Sequence, residues 1–182
     1  LTRSMHYVMM QLVSHYAPKS PIAEAYRTLR TNILAKKGEG SVAILVTSSG
    51  PKEGKSTSIA NLAITFAQMN SKVILVDMDL RRPTVHSKLG LEKENGTSDF
   101  LIDPEVSVEQ VIKPSGIANL DVITSGFIPP NPSELIASPR TDFLIEELKT
   151  RYDFVLFDSP PLIAVTDALI LTKKVDMTYL VV

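Results

Sequence analysis

Residues 42–83 read VAILVTSSGPKEGKSTSIANLAITFAQMNSKVILVDMDLRRP, and this stretch leaves the chain few folds to choose from. Val42 to Thr47 is an unbroken run of apolar and β-branched residues. Such a run reads as a strand buried on both faces, which belongs in a parallel sheet covered by helices. A glycine-punctuated turn closes on Gly54-Lys55-Ser56-Thr57, and Ile59, Leu62, Ala63, Phe66 and Ala67 then recur at helical spacing. Val73 to Val76 reads as a second buried strand that ends at Asp77 and Asp79. Strands that alternate with helical crossovers predict an α/β domain with a mostly parallel β-sheet flanked by helices on both faces.

The turn has the chemistry of a phosphate cradle. Successive backbone N–H groups point inward in such a loop, and the following helix adds its unpaired N-terminal donors. Ser49, Gly50, Pro51, Lys52, Glu53, Gly54, Lys55, Ser56 and Thr57 are the expected nucleotide-binding residues, with Ser49 standing where G-x-x-x-x-G-K-[ST] has its first glycine. Lys55 is expected to reach the β- and γ-phosphates of ATP and the Ser56 hydroxyl to ligate Mg²⁺. Asp77 and Asp79, two apart, would share a face if extended structure persisted there. One would hold the metal through water while the other accepts a proton. Arg81 and Arg82 add positive charge near the phosphates. The plainer alternative is a solvated acidic strand end with an ordinary helix cap. Phe154 to Asp158 is a third apolar run ending in a carboxylate, the Walker B pattern, which places Asp158 beside a metal on Ser56.

At 182 residues with 44% hydrophobic side chains the chain has the material for one ordinary globular domain. A net charge of −1 argues against a nucleic-acid surface. With no cysteine, thiol catalysis and cysteine-based zinc sites are excluded. No apolar run approaches the ~18 residues that a membrane span needs, so the expected location is cytosolic.

Leu1 to Lys19 reads as an irregular arm. Ser20-Pro21 then predicts a helix start, and Ile22, Ala25, Tyr26, Leu29 and Ile33 make its apolar face. Glu24, Arg27 and Arg30 fall three apart beside that face, either as a solvated row of ion pairs or as a protein contact. Short helices are expected at 84–89, 98–102 and 106–112, a strand at 120–124, and helices opening at Ser133, Arg140 and Thr166. A last strand runs from Met177 to Val182. His86, without a second ligand or paired carboxylate, receives no catalytic role.

With these elements placed, the chain from Tyr16 to Val182 resembles the bacterial tyrosine kinases of capsule and exopolysaccharide systems, P-loop proteins with deviant Walker motifs. The resemblance rests on the loop Ser49 to Thr57, on Val73 to Pro83, on Asp158-Ser159-Pro160-Pro161, on Glu24-Ala25-Tyr26-Arg27-Thr28-Leu29-Arg30 as the E-x-x-R-x-x-R oligomerisation motif, and on Gly126 to Ile136. It implies an ATP- and Mg²⁺-dependent kinase that phosphorylates tyrosines of partner proteins and, in trans, of its own tail, one subunit's tail entering its neighbour's site. By position it makes Lys55 the group that stabilises the transferring phosphoryl, Ser56 and Asp158 the metal-organising pair, Asp77 the base and Asp79 a second carboxylate at the metal. It further implies a homo-oligomeric ring through Glu24, Arg27 and Arg30, and a membrane-embedded activator of the polysaccharide co-polymerase type, which would hold the domain at the inner face of the membrane.

The implied domain organisation is an arm over residues 1–19 and a catalytic domain over 20–182, with the family's tyrosine-rich tail expected beyond Val182. Tyr7, Tyr16, Tyr26, Tyr152 and Tyr179 are then expected to be structural, with Tyr26 packed. One rival is a positioning ATPase of the cell-division and chromosome-partitioning type. Those proteins carry lysine at the second loop position, where this chain has Gly50. The other rival is a nucleotide-dependent oligomeric scaffold without catalysis.

Overall fold

The computed structural model describes residues 3–163 and 166–182; the first two residues of the expected arm lie outside it. In chain order the elements are α1 (Arg3–Gln11), α2 (Val13–Tyr16), α3 (Pro21–Lys36), β1 (Val42–Ser48), α4 (Lys55–Ala67), β2 (Val73–Asp77), α5 (Val85–Leu89) and α6 (Thr97–Ile102). They continue with α7 (Val108–Val111), β3 (Lys113–Pro114), β4 (Leu120–Ile123), α8 (Pro132–Ala137), α9 (Pro139–Lys149), β5 (Phe154–Asp158), α10 (Asp167–Thr172) and β6 (Met177–Val181).

The six strands lie in the order β3-β4-β2-β5-β1-β6. Every pairing is parallel except that of the two-residue β3, which runs antiparallel to β4 at one edge. Each strand divides its side chains between two cores, as the pleat requires. Ile44, Val46, Val73, Leu75 and Leu156 pack with α4 on one face. Ala43, Leu45, Ile74, Val76, Val155 and Phe157 pack with α6, α8 and α9 on the other. β1, β2 and β5 are buried throughout, which is why they read as continuous apolar runs rather than alternating ones.

Two expectations about the amino-terminal part are corrected. The arm is helical, not irregular, and it is bolted to α4. Leu12 is buried in the core, and the fully buried Asn61 side chain accepts from Ser14 N–H at 2.9 Å and donates to Gln11 C=O at 2.8 Å. Helices of nine and four residues are marginal on their own; these owe their shape to the groove they fill. In α3 the Ser20 hydroxyl caps Ala23 N–H at 3.1 Å, as its sequence predicts. The buried residues, however, are Ala23 and Ile33, with Leu29 and Leu34 packed against the core. Ile22 is 60% exposed and Ala25 also faces solvent. The contact stripe is rotated because Arg30 lies in it: its guanidinium donates to Thr65 C=O at 2.7 Å, a carbonyl in the last turn of α4 with no acceptor role inside the helix.

Candidate active site

β2, β5 and β1 are neighbours, and their carboxyl ends form one rim of the sheet, where open α/β folds bind ligands. The loop after β1 is held by its own side chains. The Glu53 carboxylate folds back to accept from Gly50 N–H at 3.0 Å and from the Ser49 hydroxyl at 2.7 Å. These bonds, the Gly50 one foremost, hold the Glu53 carboxyl below its ordinary value. Lys52 (φ 64°) and Gly54 (φ 77°) both take left-handed conformations. Glycine does so without cost and lysine does not, so Lys52 stores strain at the loop apex. The turn delivers the first N–H groups of the thirteen-residue α4 toward open space.

Beneath the loop lies a compact polar cluster. The Lys55 ammonium forms a close, buried ion pair with Asp158 Oδ1. The Ser56 hydroxyl donates to Asp158 Oδ2 at 2.6 Å and accepts from the Thr84 hydroxyl at 2.7 Å. Asp158 is fully buried, and desolvation pushes its carboxyl up, opposed by Lys55 and Ser56. Asp77 pairs in register with Asp158 across β2 and β5. Its two oxygens accept from the N–H groups of Asp79 at 3.0 Å and Val85 at 3.2 Å. Burial first, then the charges of Asp158 and Asp79, raise the Asp77 carboxyl well above the usual range.

A cavity of about 490 Å³ opens over this cluster, within the range of small-ligand sites. Its wall includes the loop from Pro51 to Thr57, Asp79, Arg82, Thr84, Lys88 and Tyr7. Of the nine loop residues, Pro51 to Thr57 line this cavity, whereas Ser49 and Gly50 do not and instead brace the loop through Glu53. Arg81 departs from its expected place. Its guanidinium forks onto the buried Asp167 carboxylate (2.9 and 3.2 Å) and the Ser133 hydroxyl at 2.9 Å, tying β2 to α8 and α10. Arg82, its neighbour, occupies the cavity wall instead.

The two carboxylates after Val76 also part company. The strand stops at Asp77, whose side chain holds the Asp79 N–H in a local turn, so extended structure does not persist and the pair does not share a face. Asp77 sits behind the wall with no exposed surface, while Asp79 lines it. Asp79 Oδ1 accepts from the N–H groups of Arg81 and Arg82, at 3.3 and 3.0 Å.

The donor set fits a magnesium–nucleotide. Mg²⁺ takes hard oxygens, one or two carboxylates together with water and phosphate oxygens, rather than an all-protein cage. Ser56, Asp158, Asp79 and Thr84 supply such oxygens. Among the described residues no three His, Asp or Glu side chains converge as a self-sufficient metal cage. The α4 N-terminus and Lys55 supply donors suited to phosphate.

Of the stripe on α3, Glu24 and Arg27 form a surface ion pair at 2.6 Å, and Arg27 also donates to Pro18 C=O at 2.7 Å. Arg30 is turned inward onto α4. Sequence reasoning missed Tyr7 and Lys88 on the cavity wall; no local pattern marks either.

Residues 43–177 match the AAA domain family. The chain is 47% identical over 166 residues to the tyrosine-protein kinase YwqD of Bacillus subtilis, spanning 91% of this chain and 70% of that protein. Its structure is similar to the kinase domain of the Escherichia coli tyrosine kinase ETK, with a TM-score of 0.89 and 34% identity over 93% of this chain and 67% of that one. The septum site-determining protein MinD from Pyrococcus horikoshii, solved with Mg-ADP, is more distant, with a TM-score of 0.65 and 27% identity over 78% of this chain and 57% of that one.

Proposed function

The chain belongs to the bacterial tyrosine-protein kinases, and on that premise we propose that it transfers the γ-phosphoryl group of ATP to tyrosine hydroxyls of proteins in the control of capsule or exopolysaccharide synthesis. The observation that carries this reading is the single cluster in which the buried Asp158 holds Lys55 and Ser56, two residues that line the cavity together with Asp79. The loop N–H groups and Lys55 bind the phosphates and align the γ-phosphorus. Mg²⁺, held through Ser56 and Asp158, would supply charge neutralisation at the β- and γ-oxygens.

A tyrosine hydroxyl, with a reference pKa of about 10, needs a carboxylate to take its proton as it attacks. Asp79 has an open face on the cavity, and we assign it that role. Asp77, whose two oxygens hold main-chain N–H groups, positions the 79–85 turn. This reverses the order in which the sequence ranked the two.

The test is incubation of the full-length protein, with an activating partner segment, in ATP and Mg²⁺, followed by phosphotyrosine mapping. Phosphotyrosine is expected, and it should vanish in Lys55→Met and fall more in Asp79→Asn than in a folded Asp77→Asn. Phosphate release without phosphotyrosine would overturn the reading in favour of a positioning ATPase.

The proposal extends to the domain's surroundings. Residues 20–182 form the catalytic unit, and the arm before it is an anchored extension. Among the described residues no helix is long and apolar enough to cross a membrane; recruitment to the inner face of the membrane is assigned to a polysaccharide co-polymerase-type activator. Glu24 and Arg27 offer the exposed part of a ring contact, while Arg30 supports it from within. Loss of oligomer mass in Arg27→Ala, measured by light scattering, is the expected result; unchanged mass rejects the contact.

A further inference from the structure

Five tyrosines occur in this chain, and one of them is on the cavity wall. Tyr152 lies at the opposite end of the sheet, donating to Asp121 at 2.7 Å. Tyr179 is on the edge strand β6, Tyr26 is half-buried on α3 and Tyr16 ends the arm's second helix, its ring edge-on to His15. Tyr7 alone lines the space above the phosphate loop, with a side chain that is exposed.

Its placement is built rather than incidental. Tyr7 and Gln11 are four apart on α1 and so share one face. Lys88 of α5 engages both: its ammonium donates to Gln11 Oε1 at 2.5 Å and lies 5.9 Å from the Tyr7 ring centroid. At Gln11 C=O and Ser14 N–H the arm is pinned through Asn61 to α4, the helix whose first residue is Lys55. Tyr7 lines the same cavity as Thr84, Arg82 and Asp79, the carboxylate to which the proton-accepting role is assigned above.

We propose that Tyr7 is a phosphoacceptor of this domain's own site, modified within the same molecule. The inference rests on the kinase reading above and deepens it by naming a substrate. The Tyr7 oxygen attacks the γ-phosphorus of ATP, the bond from that phosphorus to the β,γ-bridging oxygen breaks, ADP leaves, and the phenolic proton passes to Asp79. The phosphotyrosine formed lies beside Lys88 and Arg82, two cations suited to hold it.

The experiment uses the full-length protein, with its activating partner segment, in ATP and Mg²⁺ over a range of protein concentrations, with a synthetic Glu/Tyr copolymer in parallel. The tryptic peptide spanning 4–19 carries both Tyr7 and Tyr16, so fragment ions assign the site and Tyr16 is the internal control. Phosphate on Tyr7, forming at a fractional rate independent of protein concentration and absent from Tyr7→Phe, is the expected result. Copolymer phosphorylation with Tyr7 unmodified overturns this proposal and leaves the kinase reading standing, as does a Tyr7 rate proportional to concentration. Phosphotyrosine on neither substrate overturns both. A second readout needs no transfer: the chain lacks cysteine, so Tyr7→Cys introduces a single thiol. Its alkylation by a maleimide is expected to slow when a non-hydrolysable ATP analogue and Mg²⁺ are added. An unchanged rate removes Tyr7 from the nucleotide's vicinity.

Discussion

Lys55→Met is the substitution whose consequences the structure predicts in most detail, because it removes the cation from a fully buried carboxylate. Asp158 has no exposed surface, and its remaining side-chain partner is the Ser56 hydroxyl. Breaking one partner from a buried pair typically costs about 3–5 kcal/mol. Here the loss has a ceiling, because the orphaned carboxyl can take up a proton instead. Neutralising a carboxyl whose unfolded pKa is about 3.9 costs about 1.36 kcal/mol per unit of pH above that value, or about 4 kcal/mol at pH 7. The sign follows. Burial already raises the Asp158 carboxyl and Lys55 opposes that rise, so in the variant the folded-state pKa moves further up. The destabilisation is small near the unfolded pKa and grows as pH rises. Urea unfolding of wild type and variant at pH 4.5 and pH 7 measures this. With m near 2 kcal/mol/M, the midpoint should fall by about 1.5–2 M at pH 7 and by less than about 0.5 M at pH 4.5. Adding Asp158→Asn should restore the pH 7 midpoint without restoring phosphoryl transfer. An equal midpoint loss at both pH values, or no rescue by the second substitution, would refute the account.

Other substitutions separate groups that the sequence leaves side by side. Arg82→Ala should weaken MgADP binding about tenfold by calorimetry, about 1.4 kcal/mol. Arg81→Ala should leave that affinity unchanged yet lower stability by about 2 kcal/mol, because among the described residues the buried Asp167 then keeps the Ser133 hydroxyl alone as a side-chain partner. Asn61→Ala strands the Ser14 N–H and the Gln11 C=O; a loss of about 2 kcal/mol and faster amide exchange confined to α1 and α2 are expected. Gly96→Ala places a Cβ 2.0 Å from Thr124 C=O and 2.4 Å from Gly126 N. The contacts are backbone and cannot turn aside, so a loss of about 3 kcal/mol or more is expected in thermal unfolding. Gly38→Ala, with nothing near its added methyl, is the control.

The centre of the sheet was legible because β1, β2 and β5 are buried on both faces, and a doubly buried strand announces itself as an apolar run. The loop was legible because close backbone approach and phosphate chemistry restrict Gly54, Lys55 and Ser56 to very few residue types. What sequence could not supply was direction. Arg81 and Arg82 are adjacent cations, and which one faces the cavity depends on Asp167, a carboxylate 86 positions from Arg81. The arm was unreadable for a related reason. Its helices are too short to be dictated by their own residues, and the acceptor that fixes them, Asn61, looks in sequence like an ordinary polar residue within an alanine-rich helix. β3, two residues long and containing Pro114, carries no strand pattern at all.

The cluster of carboxylates follows from the pleat. Leu75 and Leu156 face α4, and side chains two further along each strand face the same way, so Asp77 and Asp158 must both point toward the helix that begins at Lys55. A slip of one residue in either strand would turn one carboxylate into the opposite core, against Phe157 and Val76. The register that buries those apolar residues therefore also brings together two like charges that would otherwise separate. Each carboxylate finds a different compensation. Asp158 has an ammonium and a hydroxyl, and Asp77 has two main-chain N–H groups. Asp79, just past the strand end, is held by two more N–H groups but keeps an open face. Burial and mutual repulsion push the Asp77 and Asp158 carboxyls up, so a positive charge brought to this end of the sheet relieves the crowding of three carboxyl groups around one lysine. A divalent cation carried in with a polyphosphate is the partner that such an arrangement favours, since it brings positive charge to the carboxylates and is itself bridged to the N–H groups of the loop.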